Sequence, residues 1–173
     1  WTGTDRVVIQ ISQHLRQRDP FTNWGFWDTA TRDLPRLPIG PGSEVIGGSG
    51  ALPWLEVQQA LLRNRAFLFT GSQPASYTLG LIEALHAGIP VISIGPTWMR
   101  IRYTDHDASE LFEGHEIAPG AYDDPNMAHH ALRRLLTDDA HAEEASRLSR
   151  LVARDLFDRE TVGAQWASFL GTP

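Results

Sequence analysis

With 173 residues, 42% of them hydrophobic and 21% charged, the chain suits a single globular domain, residues 1–173, long enough to bury a substantial core. Its formal net charge of -6 argues against general nucleic-acid binding, which needs clustered positive charge, so an anionic ligand would have to be held by local features. The absence of cysteine excludes disulfides, a thiolate nucleophile and cysteine metal sites, and fits a reducing compartment.

All fifteen basic residues are Arg, which removes Lys from Schiff-base chemistry and from point-charge phosphate contacts. No apolar run approaches the length of a membrane span, and the N-terminus lacks the basic and apolar regions of a signal peptide. A cytoplasmic protein is therefore expected. The chain begins at Trp1 rather than Met, which leaves room for a partner domain outside these residues.

In chain order, Thr4 is a candidate N-cap, and the segment 5–19 places Val7, Val8, Ile11 and Leu15 at helical spacing, ending at Asp19-Pro20. The aromatic-rich stretch 21–35 reads as a short helix or a packed loop. A short apolar strand over Arg36 to Ile39 runs into Gly40, Pro41, Gly42 and Ser43, and the Gly-rich 47–50 forms a turn. Leu52, Leu55, Val57, Leu61 and Leu62 mark a helix that delivers the chain to a strand at Ala66.

Ala66 to Pro96 is the most informative stretch. A short apolar run, a Gly/Ser/Pro loop, an amphipathic helix from about Ser76 to Ala87 and a second apolar run form a βαβ unit with parallel strands. Beyond it, a short helix near Ser109 to Phe112 and a short strand near His115 to Ala118 are expected. Three helices follow from Asp124, with Pro125 in a first turn and Asp138 or Asp139 as a cap. Strands near 36, 67 and 91, with another at 115, alternate with helices. The expected fold is α/β, a three-layer Rossmann-like sandwich with a mainly parallel sheet and a helical C-terminal tail. The last three helices exceed what the sheet needs, so at least one is expected to pack across the edge or towards a neighbour.

In doubly wound sheets ligands bind at the carboxyl ends of the strands, where loops meet helix N-termini. The loop 71–76 meets that description. Gly71, Ser72 and Ser76 suit an anion held by hydroxyls and free N–H groups, unless Ser76 simply caps the helix. Glu83 lies two turns into an otherwise apolar helix. It either accepts hydrogen bonds from the two hydroxyls of a ribose or lies on a solvated stripe.

The string from Ser76 to Gly95 resembles the signature of retaining B-type glycosyltransferases of group 1, or family 4. Its match in E-A-x-x-A-G-x-P-V-I occupies Glu83, Ala84, Ala87, Gly88, Pro90, Val91 and Ile92. The resemblance is strong over 52–96 and extends in layout from 36 to 171. It implies the C-terminal, nucleotide-sugar-binding half of a two-domain enzyme, with the acceptor-binding N-terminal domain outside these residues.

It further implies that Glu83 meets the nucleotide ribose and that the N–H groups of Ser76, Tyr77 and Thr78 face the diphosphate and sugar. The upstream Gly40 and Gly42 would complete the site. The family's first Glu falls on Ala75, which has no acceptor for a sugar hydroxyl. The Arg and Lys that such enzymes commonly set against the diphosphate cannot both be present in a chain without Lys; Arg100, Arg102 or Arg6 could supply the charge.

The nucleotide sugar enters as substrate, with no cofactor or metal expected, and no general base can be assigned. Asp105-His106-Asp107 fits the D-x-D of another glycosyltransferase fold but reads better as an exposed loop. His115-Glu116 and His129-His130 lack zinc-helix spacing. Among the tryptophans, Trp54, Trp98 and Trp166 are candidate sugar platforms, with Trp98 nearest the expected crevice, although core or interface packing is the usual role. The rival readings are a non-catalytic nucleotide-binding or assembly module, and part of a nucleotide-sugar epimerase.

Overall fold

The computed structural model describes residues 1–72, 78–98 and 120–171. Five strands form one sheet: β1 (Asp5–Ile11), β2 (Arg36–Ile39), β3 (Asn64–Phe69), β4 (Val91–Ile94) and β5 (Gly120–Tyr122). Their order is β2-β1-β3-β4-β5 and every pairing is parallel. Parallel strands covered on both faces read as continuous apolar runs. All six residues of β3 and all four of β4 are buried.

Six α-helices, α1 (Trp24–Ala30), α2 (Trp54–Arg63), α3 (Leu79–Ala87), α4 (Pro125–Thr137), α5 (Asp139–Phe157) and α6 (Arg159–Leu170), and two short 3-10 turns, Ser43–Ile46 and Pro96–Trp98, complete the described structure. The chain reverses direction across the sheet after β2, so right-handed crossovers put α1 and α2 on opposite faces. Consistent with that rule, α1 packs with α4, and α2 packs with α3. The α/β three-layer sandwich expected from the alternation of strands and helices is the fold observed.

The core is continuous between the layers. Val8 and Ile9 of β1, Phe67 and Leu68 of β3, and Val91 and Ile92 of β4 meet Phe26 and Trp27 of α1, Leu81 and Leu85 of α3, and Leu132 and Leu135 of α4. The last helices start on side-chain caps: Asp124 accepts from the Asn126 N–H, Asp138 from His141 and Asp158 from Glu160. α5 touches both α4 and α3, crossing between the layers, whereas α6 packs chiefly on α5 and buries none of its residues.

One expectation is overturned. The segment 5–19 is not a helix capped at Thr4; its first part is β1, a central strand of the sheet. Val7, Val8, Ile9 and Ile11 are β-branched and form a strand that the apolar spacing alone disguises as a helix. The expected elements at 109–112 and 115–118 lie outside the described residues; the strand seen beyond them is β5.

The amino ends of the central strands are bolted to α4. Arg65, buried at the start of β3, donates to the carbonyls of Leu135 and Gly3 at 3.0 Å and pairs with Asp139. Arg6 donates to the Leu136 carbonyl and also pairs with Asp139, at 2.9 Å. Two guanidinium groups thus satisfy carbonyls at the α4 C-terminus, where cations are favoured. The Trp1 ring stacks near Arg65, and its Nε1 donates to the Asn64 carbonyl at 2.8 Å.

Candidate functional site

At the opposite end of the sheet the carboxyl ends of β1, β2 and β3 open into a crevice of about 520 Å³, within the range of small-molecule sites. In the strand order 2-1-3-4-5 the chain changes direction between β1 and β3, which is where such folds bind ligands. β1 and its following loop supply Gln10, Ile11, Ser12, Gln13 and Arg18, and β2 supplies Ile39, Gly40 and Pro41. Phe69, Gly71 and Ser72 follow β3, Thr78, Leu79 and Gly80 open α3, and Ala51, Leu52 and Val57 close the side beneath α2.

Local geometry explains these positions. Gly40 has φ +130, and a Cβ there would collide with the Ser12 carbonyl, so only glycine lets the β2 loop lie against the β1 loop. The His14 N–H donates to the Pro41 carbonyl at 2.7 Å, and the Gln17 side chain donates to the Gly42 carbonyl at 3.2 Å, joining the same two loops. Thr78 is the N-cap of α3, its hydroxyl oxygen accepting from the Leu81 N–H at 3.4 Å. The N–H groups of Leu79 and Gly80, one residue further out, have no acceptor within the helix and lie at the crevice.

The electrostatics favour an anion. Arg18 is the only charged side chain lining the crevice among the described residues. It is exposed and makes no salt bridge among them. The α3 N-terminus, which also lines the crevice, adds its partial positive charge. No carboxylate or imidazole lines the crevice among the described residues.

Of the residues expected to form a site, Gly71, Ser72, Thr78 and Gly40 line the crevice. Gly42 stands behind it, against His14. Glu83 is exposed and borders a second groove of about 340 Å³ between α2 and α3, with Gln58, Leu62, Ile82 and His86. Ala75, Ser76, Tyr77, Arg100, Arg102 and the triplet 105–107 lie outside the described residues. Arg6 serves the far end of the sheet. Trp98 sits beside the α1 layer, its Nε1 bonded to the Asp123 carbonyl at 2.6 Å and its ring edge-on to Phe26; Trp54 and Trp166 are exposed away from the crevice lining. The residues missed in the sequence are those of β1 and its loop, Gln10, Gln13 and Arg18 above all. The signal for them was the β-branched run 7–11 followed by a polar, Arg-bearing loop.

No protein-family model and no curated protein matches the chain. Solved structures do. Anabaena HepE, determined in complex with UDP and glucose, superposes with a TM-score of 0.70 at 16% identity, over 98% of this chain and 49% of HepE. TarM of S. aureus gives 0.71 at 17% identity, over 97% of this chain and 35% of TarM. WaaG, a glycosyltransferase involved in lipopolysaccharide biosynthesis, gives 0.59 at 14% identity, over 96% of this chain and 47% of WaaG. The chain thus spans half or less of the length of these proteins, and over that span it shares their Rossmann-like α/β fold.

Proposed function

We propose that the crevice binds a nucleoside diphosphate sugar, and that the chain is the donor-binding, C-terminal half of a glycosyltransferase whose acceptor-binding half lies outside these residues. The observation that carries this reading is that Arg18, which makes no salt bridge among the described residues, and the N-terminus of α3 line the same switch-point crevice in a chain of net charge -6. The length of the structural neighbours, about twice or more that of this chain, supports the missing half.

In the proposed reaction the bond between the anomeric carbon and the diphosphate breaks, and negative charge grows on the departing phosphate. Arg18 and the N–H groups of Leu79 and Gly80 stabilise that charge, a contribution that rises as the bond lengthens. The oxygen of an acceptor hydroxyl, arriving from the other half, would form the new bond to the anomeric carbon, and its proton would pass to the departing diphosphate. Glu83 lines the neighbouring α2–α3 groove and not the crevice itself, so its proposed contact with the ribose rests on the motif it occupies alone. The domain itself would hold no resident cofactor, the nucleotide sugar being substrate. Among the described residues no helix is long and apolar enough to cross a membrane; a cytoplasmic location is part of the proposal.

Calorimetric titration with UDP, GDP, their sugars and pyrophosphate tests it. Binding of at least one nucleotide, weakened by Arg18→Ala, is expected. Glu83→Ala should weaken the nucleotide more than pyrophosphate, and equal loss would remove Glu83 from the ribose. Failure of every nucleotide to bind the unaltered chain would sink the proposal.

A further inference from the structure

Directly beneath the crevice lies a buried polar hub that the proposed reaction does not use. Thr70, the residue after β3, is 0% exposed. Its Oγ1 accepts from Nε2 of Gln10 in β1 at 2.7 Å and donates to the Thr22 carbonyl at 2.6 Å. Its own carbonyl accepts from Nδ2 of Asn23 at 2.8 Å. Gln10, Thr22 and Asn23 are all at most 2% exposed, and the Thr22 hydroxyl in turn donates to the Leu15 carbonyl at 2.5 Å. Asn23 holds a left-handed backbone, φ 52, at the start of α1.

A hydroxyl with one proton and one committed acceptor has a fixed orientation, so the direction of the hub is set: Gln10 gives to Thr70, and Thr70 gives to the loop. Buried polar groups bonded in this way are costly to separate, because each would be left without water or partner. The consequence is geometric. The loop 12–23 is anchored at its far end to Thr70 and at its near end to the Pro41 carbonyl through the His14 N–H. Arg18 stands between these two anchors. Phe21 N–H, donating to the Arg18 carbonyl at 2.8 Å, ties it to the Thr70 end.

We propose that Thr70 is a positioning residue: its hydroxyl, clamped between Gln10 and the Thr22 carbonyl, fixes the loop 12–23 so that Arg18 faces the α3 N-terminus across the crevice. The inference rests on the reading of the crevice as a diphosphate site. Thr70 touches no ligand. It acts through Arg18, and its contribution vanishes when Arg18 is absent.

The test is a double-mutant cycle on UDP affinity with Thr70→Val, Arg18→Ala and the pair, together with Thr70→Ser. Thr70→Val removes the hydroxyl at nearly constant shape. It is expected to weaken UDP about tenfold, an effect of one or two charge-assisted contacts, while Thr70→Ser, which keeps the hydroxyl, stays near the parent. In the Arg18→Ala background Thr70→Val should change affinity by less than about twofold. An equal loss in both backgrounds, or no loss in either, overturns the inference.

Amide hydrogen exchange on the ligand-free chain supplies an arm that needs no nucleotide. Thr70→Val should speed exchange selectively in 12–23; unchanged or uniformly faster exchange would overturn the positioning role. If the parent does not bind UDP, the diphosphate reading fails and the claim about Arg18 falls with it, whereas UDP binding that ignores Thr70→Val defeats this inference alone. Should Thr70→Val not fold, Asn23→Gly, which suits the left-handed backbone there, removes the donor to the Thr70 carbonyl and does not line the crevice, takes its place with the same expected results.

Discussion

Gly80→Ala separates stability from binding at a single atom. Gly80 is the second residue of α3, and glycine in a helix costs stability relative to alanine because it has more conformational freedom to lose on folding. The atoms nearest a Cβ placed there are Ile11 Cβ at 3.7 Å, Ile11 Cγ2 at 3.8 Å and the Thr78 hydroxyl at 3.8 Å, all ordinary van der Waals contacts. The fold therefore accommodates the methyl without strain. Reduced freedom of the unfolded chain should stabilise the protein by about 0.4–1 kcal/mol, which for a domain of this size raises Tm by about 1–4 °C. The same methyl projects where Gly80 lines the crevice, beside the N–H groups proposed to face the diphosphate. Nucleotide affinity should fall while Tm rises. Differential scanning calorimetry and UDP titration on the same preparation read both signs. A lower Tm would refute the steric reasoning, and unchanged affinity would place the ligand away from the start of α3.

Two further predictions concern the scaffold. Arg65→Met keeps the bulk of the buried stem but leaves the Leu135 and Gly3 carbonyls without their donor; urea unfolding should show a loss of about 1–3 kcal/mol, and a change within error would mean that water replaces the guanidinium. Asp138 is held below the usual carboxylate range by the His141 N–H it accepts and by the nearby Arg134 guanidinium. A carboxyl depressed on folding contributes stability that is complete above its unfolded pKa and is lost as pH falls through its lower folded value. Asp138→Asn keeps a capping oxygen but cannot titrate. The urea midpoint of the variant should fall less steeply than the parent's between about pH 5 and pH 2, and parallel curves would assign the acid sensitivity elsewhere.

The parts of the fold legible in the sequence are those where pattern and length agree. Arg36 to Ile39 is a strand at the limits the sequence suggests, and the apolar runs at 66 and 91 are long enough for strands and too short for helices. Pro125 and Asp138 announce their helices because first-turn and capping preferences are local chemistry. β1 was hidden because Val7, Val8, Ile11 and Leu15 satisfy a helical period by coincidence, and only its place between two other strands makes it extended. Losing β1 also hid Arg18, since a loop at a strand's carboxyl end means something that the tail of a helix does not. Glu83 shows the other limit: a motif gives its place in the chain, while the direction of its side chain depends on how α3 is rotated against α2.

The strand order has a consequence for how the chain is made. β1 is first in sequence yet sits between β2 and β3, so one of its edges has no partner until residues 64–69 exist. Until then the unpaired N–H and C=O groups along the edge at Val8 and Ile9 are a template for association with other chains. Closing it requires a contact some sixty residues distant, Asp5 with Asn64, which is slow relative to local helix formation. The segment that covers this edge continues directly into Thr70, Gly71 and Ser72, one wall of the crevice. A nascent chain therefore acquires this wall of the crevice in the same step that protects its central strand.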